Sequence, residues 1–156
     1  MNTTIGSPRR IDKKNAEIWR KTFGLAIAGG LAFWLTNFVI SLTPIAAEYR
    51  AALSISYVPM LLEALLGGLL IGYCVSYLML RYFDKLPTRH AISKSLLLSF
   101  IALIVVTMLI EVPAKFLTPT SDAWRYFLIG TSFNALRLLA LGIVIGYRYD
   151  SKGVRL

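Results

Sequence analysis

The chain has 156 residues, 56% of them hydrophobic and only 16% charged, with a mean hydropathy of +0.63 and a formal charge of +9. Soluble domains average about 45–50% apolar and about 25% charged residues, so this composition excludes an ordinary soluble domain and points to one small polytopic membrane domain. The positive charge is expected on cytoplasmic flanks rather than on a nucleic-acid surface, because no zinc-finger spacing or RNA-binding signature accompanies it.

Residues 1–21 are polar and basic, with Arg9, Arg10, Lys13, Lys14, Arg20 and Lys21. Ser7 followed by Pro8 has the form of an N-cap with proline at the first helical position. Ile11, Ile18 and Trp19 would share a face of that helix, which suits a short segment lying on anionic headgroups. The alternative is a basic tail that only sets topology. Asn2-Thr3-Thr4 matches a glycosylation acceptor, a match discounted at a cytoplasmic terminus.

The first apolar stretch covers residues 22–42 and stops before Pro44. It is longer than a signal-peptide core and carries Asn37 near its far end, so it is expected to be a retained transmembrane helix. A loop at 43–56 with Glu48 and Arg50 precedes the second stretch, 57–80, whose Pro59 falls in the first turn, where proline is tolerated. Residues 81–94 form a basic loop. The third stretch, 95–112, ends at Glu111 and Pro113. After a loop at 113–123, the fourth stretch covers 124–147, and residues 150–156 form a tail. The expected architecture is therefore an all-α, four-helix transmembrane bundle within one domain, 22–149.

Four spans put both termini on one side. The two termini and the middle loop carry thirteen Lys/Arg residues, and the other two loops carry three. The positive-inside rule then places the termini in the cytoplasm. The side opposite is called the outer side.

Two segments recur. Leu42-Thr43-Pro44 reappears as Leu117-Thr118-Pro119, each followed by an acid and an aromatic–Arg pair (Tyr49-Arg50 and Trp124-Arg125), at an offset of 75. Leu65, Gly68, Ile71, Gly72 and Tyr73 recur as Leu139, Gly142, Ile145, Gly146 and Tyr147, at an offset of 74. This predicts two tandem helical hairpins related by a pseudo-twofold axis along the membrane normal. The first and third helices align poorly in such a repeat. Gly68, Gly72, Gly142 and Gly146 are expected to let helices approach closely, within this bundle or between copies of it.

Charged residues inside apolar helices are costly and seldom lack a partner or a role. Glu63 and Arg137 occupy equivalent positions of the repeat and are expected to meet across its axis. Asn134, Asn37 and Glu111 gather with them in the outer half. This polar cluster would be a structural ion pair, a binding site, or a contact to another subunit.

Cys74 is expected to be inert core, and His90 a solvated loop residue. The hydroxyls at 41, 43, 76, 93, 95, 99 and 107 are expected to bond backbone carbonyls. No catalytic constellation, metal ligand set or phosphate loop is present in the pattern, so no enzyme and no cofactor are implied. The expected role is a non-enzymatic structural or accessory membrane component acting through helix–helix contacts, with the bilayer and a homo-oligomer or partner subunit as its surroundings and no nucleic acid. The alternative is a small oligomeric transporter or channel with an outward-facing polar site.

Overall fold

A computed structural model describes residues 8–88, 90–117 and 122–151, with side chains described from residue 15. The Asn2 acceptor, the Ser7 cap, the Thr118-Pro119 half of the repeated turn and the basic residues at 9–14, 89, 152 and 155 lie outside these residues or their described side chains.

Among the described residues the chain is helical without strands. The elements are α1 (Pro8–Ser41), α2 (Pro44–Ala52), α3 (Tyr57–Tyr82), a 3-10 turn at Phe83–Lys85, α4 (Ala91–Val106), a π turn at Thr107–Glu111, α5 (Val112–Phe116) and α6 (Ala123–Ser151). Four stretches are long and apolar enough to cross a membrane: Asn15–Ser41, Tyr57–Lys85, Ala91–Phe116 and Ala123–Ser151. They pack antiparallel in the cyclic order α1, α3, α4, α6, with α3 and α6 on a diagonal. The ends of α1 and α6 therefore share one end of the bundle, and α2 lies at the other.

Three segments differ from expectation. First, α1 is continuous from Pro8, so the basic segment and the first apolar stretch form one helix of 34 residues, about 51 Å long at 1.5 Å per residue. Nothing in residues 9–21 breaks a helix, and Glu17 pairs with Lys21 at 2.7 Å one turn on. Second, the loop at 43–56 contains α2. Thr43 caps it by accepting from the amide of Ala46 at 3.3 Å, and Pro44 supplies the first-turn φ.

Third, the third span does not end at Pro113 but continues to Phe116. Proline has no amide hydrogen to give to the carbonyl four residues back. The helix absorbs this just before Pro113, where the Val112 amide bonds the carbonyl of Thr107, five residues back. A π turn holds one residue more than an α turn, which rotates the rest of the helix by about 100°. The rotation exposes Met108, Leu109 and Ile110 and turns Glu111 and Lys115 inward.

The two glycine pairs act within the bundle. A Cβ on Gly68 would stand 2.8 Å from Phe33, and one on Gly72 would stand 2.9 Å from the Ala26 carbonyl, both on α1. Cβ atoms on Gly142 and Gly146 would stand 2.7 Å from Ser99 Oγ and 2.5 Å from Ile92 Cα, both on α4. The Trp34 indole also crosses from α1 to donate to the Leu61 carbonyl at 3.1 Å. The core between the helices is built from Leu25, Phe33, Val75, Met79, Leu98, Leu138, Leu141 and Ile145.

At the termini end, Lys94 is buried in the first turn of α4, where the sequence suggested a basic loop. Its ammonium donates to the Phe83 carbonyl and stands 3.6 Å from the Phe83 ring centroid. That ring stacks on Tyr149 at 4.7 Å, so the connection after α3 is clasped to α6. Cys74 is exposed on the outside of α3, not in the core. His90 is exposed. Ser41 and Thr43 bond the carbonyls of Phe38 and Ile40, but Ser76, Ser95, Ser99 and Thr107 carry buried hydroxyls without a hydrogen-bond partner. Close helix contact has enclosed them on faces where a partner was not supplied.

Candidate functional site

The half of the bundle nearest α2 encloses a cavity of about 330 Å³. Every spanning stretch contributes to it, and so does α2. Asn37, Glu63, Glu111, Asn134 and Arg137 all line this one cavity, together with Tyr49, Arg50 and Lys115. Phe33, Ile40, Ala64, Ile71, Val106 and Ile110 supply its apolar walls.

The polar residues are wired in a way the sequence did not suggest. Asn134 donates to Glu111 Oε1 at 2.8 Å, and its carbonyl oxygen accepts from Arg137 Nη1 at 3.1 Å. The second Glu111 oxygen faces Lys115 Nζ at 3.8 Å. The result is a chain of groups, Arg137–Asn134–Glu111–Lys115, running from α6 through the π turn to α5. Asn134, Glu111 and Lys115 are 6%, 8% and 5% exposed. Charges at that depth are tolerable only when compensated, and the chain compensates most of them.

Glu63 and Arg137 do not form an ion pair: no nitrogen–oxygen approach within 4.0 Å joins them. The topology explains why. They sit on the diagonal helices, and Phe33 of α1 packs between, touching the Gly68 position of α3 and lying 5.9 Å from the Arg137 guanidinium. The ring of Phe133 flanks the same guanidinium at 6.0 Å. Glu63 is exposed on α3 and makes no hydrogen bond or ion pair among the described residues.

Gly130 makes the junction with α2 possible. A Cβ there would collide with the Glu111 carboxylate and stand 2.7 Å from the Tyr49 hydroxyl. Tyr49 thus reaches from α2 into the bundle, edge-on to Phe133 at 5.7 Å and with Lys115 4.8 Å from its ring centroid. Burial, with the Glu111 charge adding to it, pushes the Tyr49 phenol up from its ordinary range and keeps it a neutral hydroxyl. Arg50 anchors α2 by donating to the Ser41 carbonyl at 3.1 Å and lying over Tyr57 at 5.1 Å. Glu48 binds Arg125 at 2.7 Å, which ties α2 to the start of α6.

The sequence pattern does not single out Tyr49, Arg50 and Lys115 as cavity residues. For Lys115 a signal exists: it lies four positions after Glu111, the spacing of a helical ion pair. Reading Pro113 as the end of the helix hides it. Tyr49 and Arg50 stand out in the sequence only as part of the repeat.

Three polar atoms of the cavity's lining residues are buried without a hydrogen-bond partner among the described residues: the donors Asn37 Nδ2 and Arg137 Nε and the acceptor Glu111 Oε2, which the Lys115 ammonium faces; Asn37 is 1% exposed. Native proteins pair nearly all buried polar atoms, so two unpaired donors lining one cavity mark a place for an acceptor. No group of three or more His, Cys, Asp and Glu residues is placed to hold a metal among the described residues. The chain matches no family model, no curated protein and no solved structure.

Proposed function

We propose that the chain is a non-enzymatic, four-span integral membrane protein whose polar cavity binds a small polar group from the outer side. Both termini lie in the cytoplasm, where thirteen of the seventeen Lys/Arg residues would be retained. The spans form two tandem hairpins with a pseudo-twofold axis along the membrane normal. The glycine contacts support that symmetry. Gly68 and Gly72 meet Phe33 and Ala26, while Gly142 and Gly146 meet Ser99 and Ile92, so both partner pairs are 66 positions apart. A repeat offset that is 74 in the second helix of each hairpin and 66 in the first explains why α1 and α4 align poorly at one fixed offset. The second hairpin is the longer, with 54 positions from Ile92 to Gly146 against 46 from Ala26 to Gly72, so the eight extra residues lie between its matched contacts.

The observation that carries the binding role is the pair of unused donors, Asn37 Nδ2 and Arg137 Nε, lining one cavity. Cysteine accessibility tests it. In a Cys74→Ser background, Glu48→Cys, Lys85→Cys and Glu63→Cys are exposed to a small membrane-impermeant thiol reagent from outside. Labelling at 48 and 63, with none at 85 until the membrane is opened, is the expected pattern, since Glu63 is an exposed residue of the cavity lining. Protection of position 63 would remove the outward-facing cavity.

A structural or accessory role through helix contacts is the second reading. The self-contained Arg137–Asn134–Glu111–Lys115 chain favours it, since a network that satisfies most of its members holds helix register without a ligand. Co-purification of a stoichiometric membrane partner in mild detergent would support this role, and a homo-oligomer would favour a pore.

A further inference from the structure

We propose that the cavity selects a zwitterion, holding an oxyanion (phosphate or carboxylate) at Asn37 and Arg137 and an ammonium group at Glu63. The inference rests on the reading of the cavity as a binding site and adds the chemical class of what it binds.

The charges that line the cavity can be sorted by what already engages them. Lys115 faces Glu111 and lies on Tyr49. Arg50 is spent on the Ser41 carbonyl and the Tyr57 ring. Glu111 Oε1 is taken by Asn134, and its Oε2, which accepts no hydrogen bond among the described residues, is answered by the Lys115 ammonium at 3.8 Å. There remain one guanidinium with an unused buried Nε, one buried carboxamide with an unused Nδ2, and one carboxylate, Glu63, with no partner among the described residues.

The two donors call for an acceptor, and an oxyanion is the acceptor that also answers the charge of Arg137. A simple anion would leave Glu63 facing it across the same space, with like charges opposed. A simple cation would answer Glu63 and leave both donors unused. A molecule with an oxyanion at one end and an ammonium at the other meets both demands, on α6 and α1 at one end and on α3 at the other. Phe33, between those helices, keeps the protein's own charges from closing on each other and so leaves the two poles available. A cavity of about 330 Å³ stands at the small end of ligand pockets, which run from about 300 to 1,000 Å³, and suits a headgroup-sized molecule.

Such a group could arrive free in solution or on a lipid, and matched probes separate the two. The full chain in mild detergent is titrated with O-phosphoethanolamine against glycerol 3-phosphate, and with β-alanine against propionate, by calorimetry. Dioleoyl phosphatidylethanolamine is compared with dioleoyl phosphatidylglycerol by native mass spectrometry. Each zwitterion is expected to bind at least about tenfold more tightly than its ammonium-free counterpart, in the soluble pairs, the lipid pair, or both. Glu63→Gln should collapse that ratio towards one while leaving binding of the ammonium-free probes in place. Arg137→Gln should weaken zwitterion and anion alike by at least about tenfold. Glu63 is exposed and unpaired among the described residues, so its variant is expected to fold even where the Arg137 variant does not. If ammonium-free probes bind as tightly as the zwitterions and Arg137→Gln weakens them, selection of a zwitterion is wrong and the binding cavity stands. If no probe binds, or binding ignores both substitutions, both readings fail.

Discussion

Gly146→Ala tests the close contact on which the second hairpin depends. The added methyl would lie 2.5 Å from Ile92 Cα and 3.0 Å from Ile92 N. Ordinary contact begins near 3.4 Å, and both obstructing atoms are backbone, so no side chain can swing aside. Helices α4 and α6 must therefore part by on the order of 1 Å, which forfeits dispersion contacts along the whole seam. Overpacking of this kind costs about 1–3 kcal/mol, and here the upper part of that range applies. Replacing glycine in a helix interior returns about 1 kcal/mol of backbone entropy, leaving a net loss of about 2 kcal/mol. Gly24→Ala is the internal control, because a Cβ there meets nothing within 4 Å. It should gain up to about 1 kcal/mol. The assay is thermal unfolding in mild detergent, read by loss of the monodisperse peak on size exclusion. For a chain of this length, each kcal/mol moves the midpoint by about 2–4 °C, so the two variants should differ by roughly 9 °C. Equal midpoints would show that backbone contact does not require glycine at 146.

Three further outcomes are expected from the packing. Asn134→Leu takes the hydrogen-bond partner from Arg137 Nη1 and from Glu111 Oε1, so it should cost roughly 3 kcal/mol, and Glu111→Gln should add less than it costs alone in a double-mutant cycle on unfolding midpoints; strict additivity would contradict the chain. Trp34→Phe keeps the ring but loses the bond to the Leu61 carbonyl, and a decrease of about 1 kcal/mol is expected in the same assay. Lys94→Met removes the clasp on Phe83, with an expected cost of about 1–2 kcal/mol and faster hydrogen exchange confined to residues 83–94 and the end of α6.

Much of the four-helix architecture is legible in the sequence because it obeys local rules. Length and apolarity locate four helices, and glycine spacing locates their close approaches. The gathering of Asn37, Glu63, Glu111, Asn134 and Arg137 is also readable, since residues at similar depth in a four-helix unit have few places to go. Their connectivity is not. Which of two residues meet depends on helix order around the bundle, and the diagonal placement of α3 and α6 with Phe33 between them leaves no trace in the spacing of Glu63 and Arg137. The π turn before Pro113 escapes for a related reason. A proline reads as a helix end, yet a wide turn one step earlier lets the helix pass through it and rotates Glu111 and Lys115 inward. The α2 helix is hidden by its length, since the nine residues of Pro44–Ala52 give too few turns for a periodic pattern to stand out, although Thr43-Pro44 carries its cap.

The central claim is the cavity, and blocking it is the most direct test. Gly67 lines it, and a Cβ there meets nothing within 4 Å, so a large side chain can enter the space without displacing the backbone. The measurement is the rate at which an impermeant thiol reagent modifies Glu63→Cys from outside, with and without Gly67→Phe, in the Cys74→Ser background. Ready modification is expected with Gly67, because Glu63 is an exposed residue of the lining, and modification at least about tenfold slower with phenylalanine at an unchanged unfolding midpoint, because the ring fills the space one turn from position 63. An unchanged rate in a folded Gly67→Phe protein would contradict the cavity's role.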